Sequence, residues 1–386
     1  MQRGSLAALA LLALAACADQ GVTSARAPEV APLRSAAAGR AVEGSYLVVL
    51  EEGADPRAVA AVAGVTPRHV YESALNGFAA TLNAGQLNAL QHLPEVAYVE
   101  EDQLYEYATT QSGATWGIDR IDQRSRPLSG TYTYNSTGAG VRAYIIDSGI
   151  NPSHTQFATS RAAVSYDATG GNGIDCNGHG THVAGTIGGT TYGVAKGVLL
   201  RAVRVGQCGS SLLVSDIVEG IDWVRANHVK PAVANMSLGG GFSSSINTAT
   251  SNLINAGVFV AVAAGNSNVD ACSGSPSGVT AAVVVAASTS SDAKASYSNW
   301  GTCVDLYAPG SSITSAWYSS NTATATISGT SMASPHVTGV AALYKATFGD
   351  ASQSTIQSWL INNATTGVIT GNVSGTPNRL LYKSTL

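Results

Sequence analysis

Charge is scarce in this chain: of its 386 residues only 11% are Asp, Glu, Lys or Arg, and 20 basic against 24 acidic side chains leave a net charge of −4. No cluster of Lys and Arg breaks that sparseness, which excludes the electrostatic footprint of a nucleic-acid binder or of a protein held on an anionic membrane. Aromatic residues are few, at 6%. Beyond the N-terminal segment no apolar run reaches the ~18 residues that a membrane-spanning helix needs. There are only 5 cysteines and no C-x-x-C pair, so a thiolate zinc site is not indicated. What is present is 45% hydrophobic residues, 42 Gly and 12 Pro, the composition of a well-packed globular protein rich in tight turns.

The length exceeds what one core usually serves, and the chain divides into a leader, a small domain and a large one. Arg3, the apolar run Leu6 to Ala16 and small residues around Cys17 make residues 1–18 an export signal. Leu14-Ala15-Ala16-Cys17 also resembles a bacterial lipobox, in which the cysteine is acylated, while Ala16-Cys17-Ala18 equally resembles an ordinary cleavage site. Residues 19–42 are rich in Ala, Ser, Arg and Pro without periodicity and read as a linker. From 43 to 107 the pattern predicts a β-α-β-β-α-β order, hence a small ferredoxin-like sandwich. That segment carries 2 basic and 10 acidic side chains, against 14 and 12 in residues 108–386. The imbalance is compatible with docking of one part on the other, and equally with a solvated acidic face.

From about 108 onward, buried strands alternate with helices, which predicts an α/β fold with a parallel sheet covered on both faces. Strands are expected at Val141 to Ile146, Leu200 to Val205, Val233 to Met236, Val258 to Ala264, Val283 to Ala287 and Val304 to Tyr307. Helices are expected at 179–188, 212–227, 244–256, 330–346 and near 352–362. In such sheets reactive groups collect at the carboxyl ends of the strands. Asp147 follows the first run directly, a position also common for a helix cap. Cys176-Asn177-Gly178-His179-Gly180-Thr181-His182 places a histidine at the start of a helix of small residues. The two histidines lack the Glu of H-E-x-x-H, which argues against a metal pair. Ser328-Gly329-Thr330-Ser331-Met332-Ala333-Ser334-Pro335-His336 opens an apolar helix, with Pro335 expected in its first turn. A serine there has its hydroxyl beside free N–H groups at the positive helix end, which favours an oxyanion on an attacked carbonyl.

Taken together, these motifs resemble those of the subtilases, most closely the branch containing proteinase K and aqualysin, over residues 108–386. The resemblance implies a three-layer subtilisin-like sheet and a serine endopeptidase with Asp147, His179 and Ser331 as its triad. Ala263-Ala264-Gly265-Asn266 matches the oxyanion motif and makes the Asn266 amide a donor. Ser237, Leu238, Gly239 and Gly240 would offer a strand edge to an extended peptide, with Ala263 to Gly265 as the opposite wall, and cleavage is expected after apolar or aromatic residues. The chain departs from the family at Gly206-Gln207-Cys208-Gly209-Ser210-Ser211-Leu212, which bears on preferences further from the cut. By spacing alone the four later cysteines allow three pairings, of which the sequential one is preferred. The family implies that same pairing, Cys176 with Cys208 and Cys272 with Cys303.

Calcium is the one cofactor the resemblance implies, at the Asp305 carboxylate with the carbonyls of Thr280 and Ala282. A second family site would use Asp119, Asp122 and Gln123, with Ser129 where a further Asp is expected. Residues 43–107, including Asn76-Gly77-Phe78-Ala79-Ala80, resemble the inhibitory prodomains that assist folding, occupy the cleft and are cut off by the enzyme itself. The cut is expected near Tyr107 to Thr109. A secreted, monomeric mature enzyme acting on protein and peptide substrates follows. A catalytically silent binding module would show an altered triad residue or oxyanion Asn, and none is altered. A lipid-anchored surface hydrolase of another acyl class would carry a G-x-S-x-G elbow, which is absent.

Overall fold

The computed structural model describes residues 30–36, 41–103, 109–157, 160–209 and 211–386. The export signal, most of the linker, and Tyr107 of the expected cleavage region lie outside the described residues. The chain forms two compact units, dividing near residue 102.

In the first unit the chain order is β1 (Leu33–Arg34), β2 (Ala41–Leu50), α1 (Pro56–Val62), β3 (His69–Glu72), β4 (Asn76–Thr81), α2 (Ala84–Gln91) and β5 (Val96–Gln103). The sheet order is β1-β5-β2-β4-β3, a ferredoxin-like arrangement with one strand added at an edge. That added strand corrects the reading of residues 19–42 as aperiodic linker: Leu33 and Arg34 pair in parallel with Val99 and Glu100, and Ala31 is buried beneath them. Two residues of pairing leave no periodicity to detect. Alternation along β2 and β4 buries Val48, Leu50, Phe78 and Ala80 into one small core. Helix α2 starts with a capping box, Asn83 and Gln86 each bonding the other's backbone N–H.

The second unit opens with β6 (Thr109–Ser112), α3 (Trp116–Asp122) and β7 (Thr131–Tyr134), and continues through β8 (Arg142–Asp147), β9 (Ala162–Asp167), α4 (His179–Gly188), β10 (Leu199–Arg204), α5 (Val214–Asn227) and β11 (Ala232–Met236). There follow β12 (Gly240–Gly241), α6 (Ser244–Asn255), β13 (Phe259–Ala263), β14 (Gly274–Ser275), β15 (Val283–Ser288), β16 (Leu306–Pro309), β17 (Ile313–Ala316) and β18 (Thr324–Ile327). The last elements are α7 (Thr330–Phe348), α8 (Gln353–Asn363), β19 (Thr365–Thr366) and β20 (Arg379–Leu380). The central sheet runs β19-β20-β16-β15-β13-β11-β8-β10-β9, parallel apart from the β19–β20 pair. Its inner strands, such as β8, β11, β13, β15 and β16, are buried on both faces, so they read as nearly continuous apolar runs. Ala143 and Ile145 face a core that includes Val183 of α4 and Val337 of α7, while Tyr144 and Ile146 face one that includes Ile221 of α5 and Leu253 of α6.

From β8 the chain moves to one side through β9 and β10, then returns to the other side at β11. The carboxyl ends of β8 and β11 therefore flank a topological switch point, where an open α/β sheet leaves a crevice. Two disulfides brace this unit, Cys176–Cys208 and Cys272–Cys303, closing loops of 32 and 31 residues. In the chain-entropy account each such loop contributes roughly 3 to 4 kcal/mol.

Candidate active site

Asp147 is the last residue of β8 and is buried, and His179 is the first residue of α4. The two meet through His179 Nδ1 and Asp147 Oδ1 at 2.7 Å, with the Ser148 N–H donating to the same oxygen at 2.8 Å. Their approach depends on glycine. A Cβ on Gly180 would lie 2.1 Å from the Gly149 carbonyl, and Gly178 has φ +107°, which favours the residue without one. Burial pulls the His179 imidazole down, but the charge and hydrogen bond of Asp147, with Asp175 adding to them, hold it above its ordinary value. His182, the other histidine of the motif, is fully buried, bonds the Ile313 carbonyl at 3.0 Å and is pushed down by burial to about 4. It faces the core, not the cleft.

Ser331 is the second residue of α7 and lines, with His179, a cleft of about 690 Å³. Its hydroxyl donates to the Ser237 carbonyl at 3.1 Å, and its own carbonyl accepts the Ser237 hydroxyl at 2.7 Å. Since Asp147 takes Nδ1, Nε2 is the ring nitrogen left without that partner, in the cleft that Ser331 also lines. Hydrogen bonds between nucleophile and base are commonly loose before substrate binds. Pro335 lies inside the helix rather than in its first turn. The lost N–H leaves the Ser331 carbonyl without its usual helical donor four residues on, and the Ser237 hydroxyl takes that place.

Asn266 follows β13 and points into the same cleft. Its Oδ1 accepts the Thr330 N–H at 2.8 Å and the Thr330 hydroxyl at 2.9 Å, and that hydroxyl accepts the Gly265 N–H at 3.0 Å. With the oxygen so occupied, the amide Nδ2 is left to donate into the cleft. Ser237, Leu238, Gly239 and Gly240 line one wall and Ala263, Ala264 and Gly265 the other. The Asn299 amide braces the latter wall, donating to the Ala264 carbonyl and accepting from the N–H groups of Ser267 and Val269. Gly206, Gln207, Gly209, Ser211 and Leu212 line the rim at which the sequence departs from the family pattern.

The residues expected at calcium sit at adjoining strand entries: Thr280 and Ala282 precede β15, and Asp305 precedes its neighbour β16. Burial raises the Asp305 carboxyl, whose oxygens accept the Val284 N–H and the Gln357 amide, both at 2.8 Å. A half-buried carboxylate, each oxygen of which accepts one protein donor and keeps a lone pair free, together with backbone carbonyls at the adjoining strand entry is an oxygen-only set that fits this hard cation. Among the described residues no group of three or more His, Cys, Asp or Glu could hold a metal. At the second expected location Asp119 accepts the N–H groups of Ser129 and Gly130 and the Ser129 hydroxyl, so that carboxylate is occupied by the protein itself.

Several residues around the site escape a reading of the sequence. Asn235, fully buried in β11, donates to the Ser237 hydroxyl and accepts from those of Ser334 and Thr338, tying the strand to α7. Thr330, Asn299, Ser148 and Asp175 also join the network. A polar residue inside an apolar run is the one local signal for Asn235, and an acidic residue four before the motif histidine is the one for Asp175.

The subtilase family model matches residues 138–380, and a peptidase inhibitor I9 model matches residues 49–108. The chain is 51% identical to an extracellular serine proteinase of a Thermus species, with 99% of each chain covered. It is 47% identical to an alkaline serine exoprotease A of Vibrio alginolyticus, over 82% of this chain and 60% of that one. Among solved structures, that of a cold adapted subtilisin-like serine proteinase matches with a TM-score of 0.69 and 50% identity, over 70% of this chain and 99% of the other.

Proposed function

The chain belongs to the subtilase family and is a serine endopeptidase, and we propose that Ser331 is its nucleophile, His179 its general base and acid, and Asp147 the carboxylate that orients the imidazole. The observation that carries this assignment is the 2.7 Å bond between His179 Nδ1 and Asp147 Oδ1, in the cleft that Ser331 also lines. A serine hydroxyl is a weak nucleophile at neutral pH. His179 Nε2 takes its proton as the oxygen attacks the scissile carbonyl, then delivers that proton to the leaving amine. Asp147 fixes the proton on Nδ1 and stabilises the imidazolium that forms. The Asn266 amide meets the oxyanion of the tetrahedral intermediate, at the positive end of α7. Water repeats the sequence on the acyl-enzyme.

Extended peptides add along Ser237 to Gly239, main chain to main chain, and a side chain before the cut enters the space bounded by Gly265. That wall is built of small apolar residues, which suits apolar or aromatic side chains there. The first unit, matched by the I9 inhibitor family, is the enzyme's own inhibitor and folding aid, removed by cleavage near Tyr107 to Thr109. The mature enzyme is secreted and monomeric, and no helix among the described residues is long and apolar enough to cross a membrane. A fluorophosphonate probe tests the central assignment. The label is expected on Ser331 by peptide mapping and absent from His179→Ala, and a label on any other serine would displace Ser331 from the role.

Calcium binds at Asp305 with the carbonyls of Thr280 and Ala282, where it offsets the cost of burying that carboxylate. It neutralises charge and joins two strand entries, and takes no part in the chemistry. At 100 times its Kd such a ligand stabilises by roughly 2.7 kcal/mol, so chelation is expected to lower Tm by about 5–10 °C. Asp305→Asn should remove that calcium-dependent increment. A Tm indifferent to calcium in the unaltered enzyme would rule the site out.

A further inference from the structure

Asp175 is a second buried carboxylate beside the catalytic pair, 5% exposed, and no step of the reaction uses it. Its oxygens are fully engaged. Oδ1 accepts the Ser148 hydroxyl and the N–H groups of Asn177 and Gly178, each at 2.9 Å. Oδ2 accepts the Thr181 N–H at 2.9 Å and the Thr181 hydroxyl at 2.5 Å. All five donors are neutral, and among the described residues no Lys, Arg or His forms an ion pair with it. Arg204 of β10, which approaches this loop at the Ile174 carbonyl, pairs instead with Asp167 at 3.6 Å.

The pattern of partners is specific. Ser148 directly follows Asp147, and its hydroxyl both donates to Asp175 and accepts the Gly180 N–H at 2.9 Å. Asn177, Gly178 and Thr181 surround His179 on either side. Both members of the catalytic pair are thus anchored, one residue away, to the same carboxylate. Helix α4 has Gly178 at its N-cap, with no side chain to satisfy its first N–H groups, and Asp175 supplies the acceptor from outside the helix.

We propose that Asp175 is a positioning residue for the reaction: it fixes the end of β8 against the first turn of α4, and it adds a negative charge to the field that His179 feels. The charged and titratable groups around His179 are Asp147 from β8, Asp175 from the preceding loop and His182 from the same helix. His182, held at about 4, is neutral at pH 7. Asp147 and Asp175 therefore supply the negative field between them. The base must be neutral to accept the serine proton, so kcat/KM rises with pH through the His179 pKa, and removing one negative neighbour lowers that pKa.

The inference rests on His179 acting as the base, and the pH dependence of kcat/KM on a peptide substrate tests the two separately. In Asp175→Asn the acid limb is expected to move to lower pH by roughly half to one unit, and plateau kcat to fall by roughly 10- to 100-fold as the pair loses alignment. Ser148→Ala, which breaks the link but keeps the charge, should lower kcat and leave the acid limb in place. An Asp175→Asn enzyme whose acid limb stays at the wild-type pH overturns the proposal. If that variant yields no folded enzyme, Asp175→Glu carries the test, because it keeps the charge and moves the acceptor: kcat should fall with the limb unmoved, and a wild-type kcat overturns the positioning. A His179→Ala enzyme that retained both activity and the acid limb would instead strike at the base assignment itself.

Discussion

Ser331→Ala is expected to leave the exported chain uncut, its intact mass still including the residues before about 108, while the unaltered chain loses them. The same variant should lose turnover of added peptide by roughly 10⁴- to 10⁶-fold, the range that loss of a triad member costs in subtilisin. The residue that remains, an alanine at the second position of α7, keeps the fold and the oxyanion donor but offers no oxygen to attack the carbonyl. Both readouts depend on one atom, so they should fail together. If wild type and variant are cut alike, another protease performs the processing. If neither is cut, the first unit is not removed by this enzyme at all.

Asn266→Ala is expected to retain the triad geometry and lose roughly 10²- to 10³-fold in kcat with little change in KM, a magnitude that comes from the equivalent change in subtilisin. The split between the two constants follows from timing. A ground-state carbonyl makes little use of the Asn266 amide, whereas the oxyanion of the transition state depends on it. Thr330→Val should fall between wild type and Asn266→Ala, because it removes the hydroxyl bonded to Asn266 Oδ1 while the Thr330 backbone N–H still holds it. A raised KM with unchanged kcat in Asn266→Ala would mean that this amide binds substrate and does not stabilise the transition state.

Much of the large unit was legible because its inner strands are buried on both faces and so read as nearly unbroken apolar runs, and those of β8, β11 and β13 end at or next to residues that line the cleft. Helices α4, α6 and α7 begin at the expected residue, where glycine or serine marks the start. The edge strand β9 was not foreseen. Its residues Ala162–Asp167 are mostly half-buried and include Ser165 and Asp167, which gives no apolar run to find. Helix α3 is seven residues long and carries two Asp and an Arg, too short for a helical stripe to stand out.

The site divides along the same line. Asp147, His179, Ser331 and Asn266 stand in contiguous motifs, but the groups that hold them are brought in from far along the chain. Asn235 meets Ser334 and Thr338, 99 and 103 residues later, and nothing local announces such a partner. Asp175 lay in plain view four residues before His179. Its role emerges only when Ser148, just past the end of β8, is seen to share it.

The glycines in and behind the cleft fall into two sets that bear on how this enzyme could change over generations. A Cβ on Gly149, Gly180 or Gly265 would meet the Gly173 carbonyl, the Gly149 carbonyl or the Asn299 amide at 2.7, 2.1 or 2.4 Å, so a side chain there would displace the backbone or the brace beside the site. On the rim, Gly209, Gly240 and Gly241 have nothing within 4 Å of the same point. New side chains can therefore accumulate along the edges that meet substrate while the reacting groups stay where they are. Diet is free to drift, and the hydrolytic machinery is not.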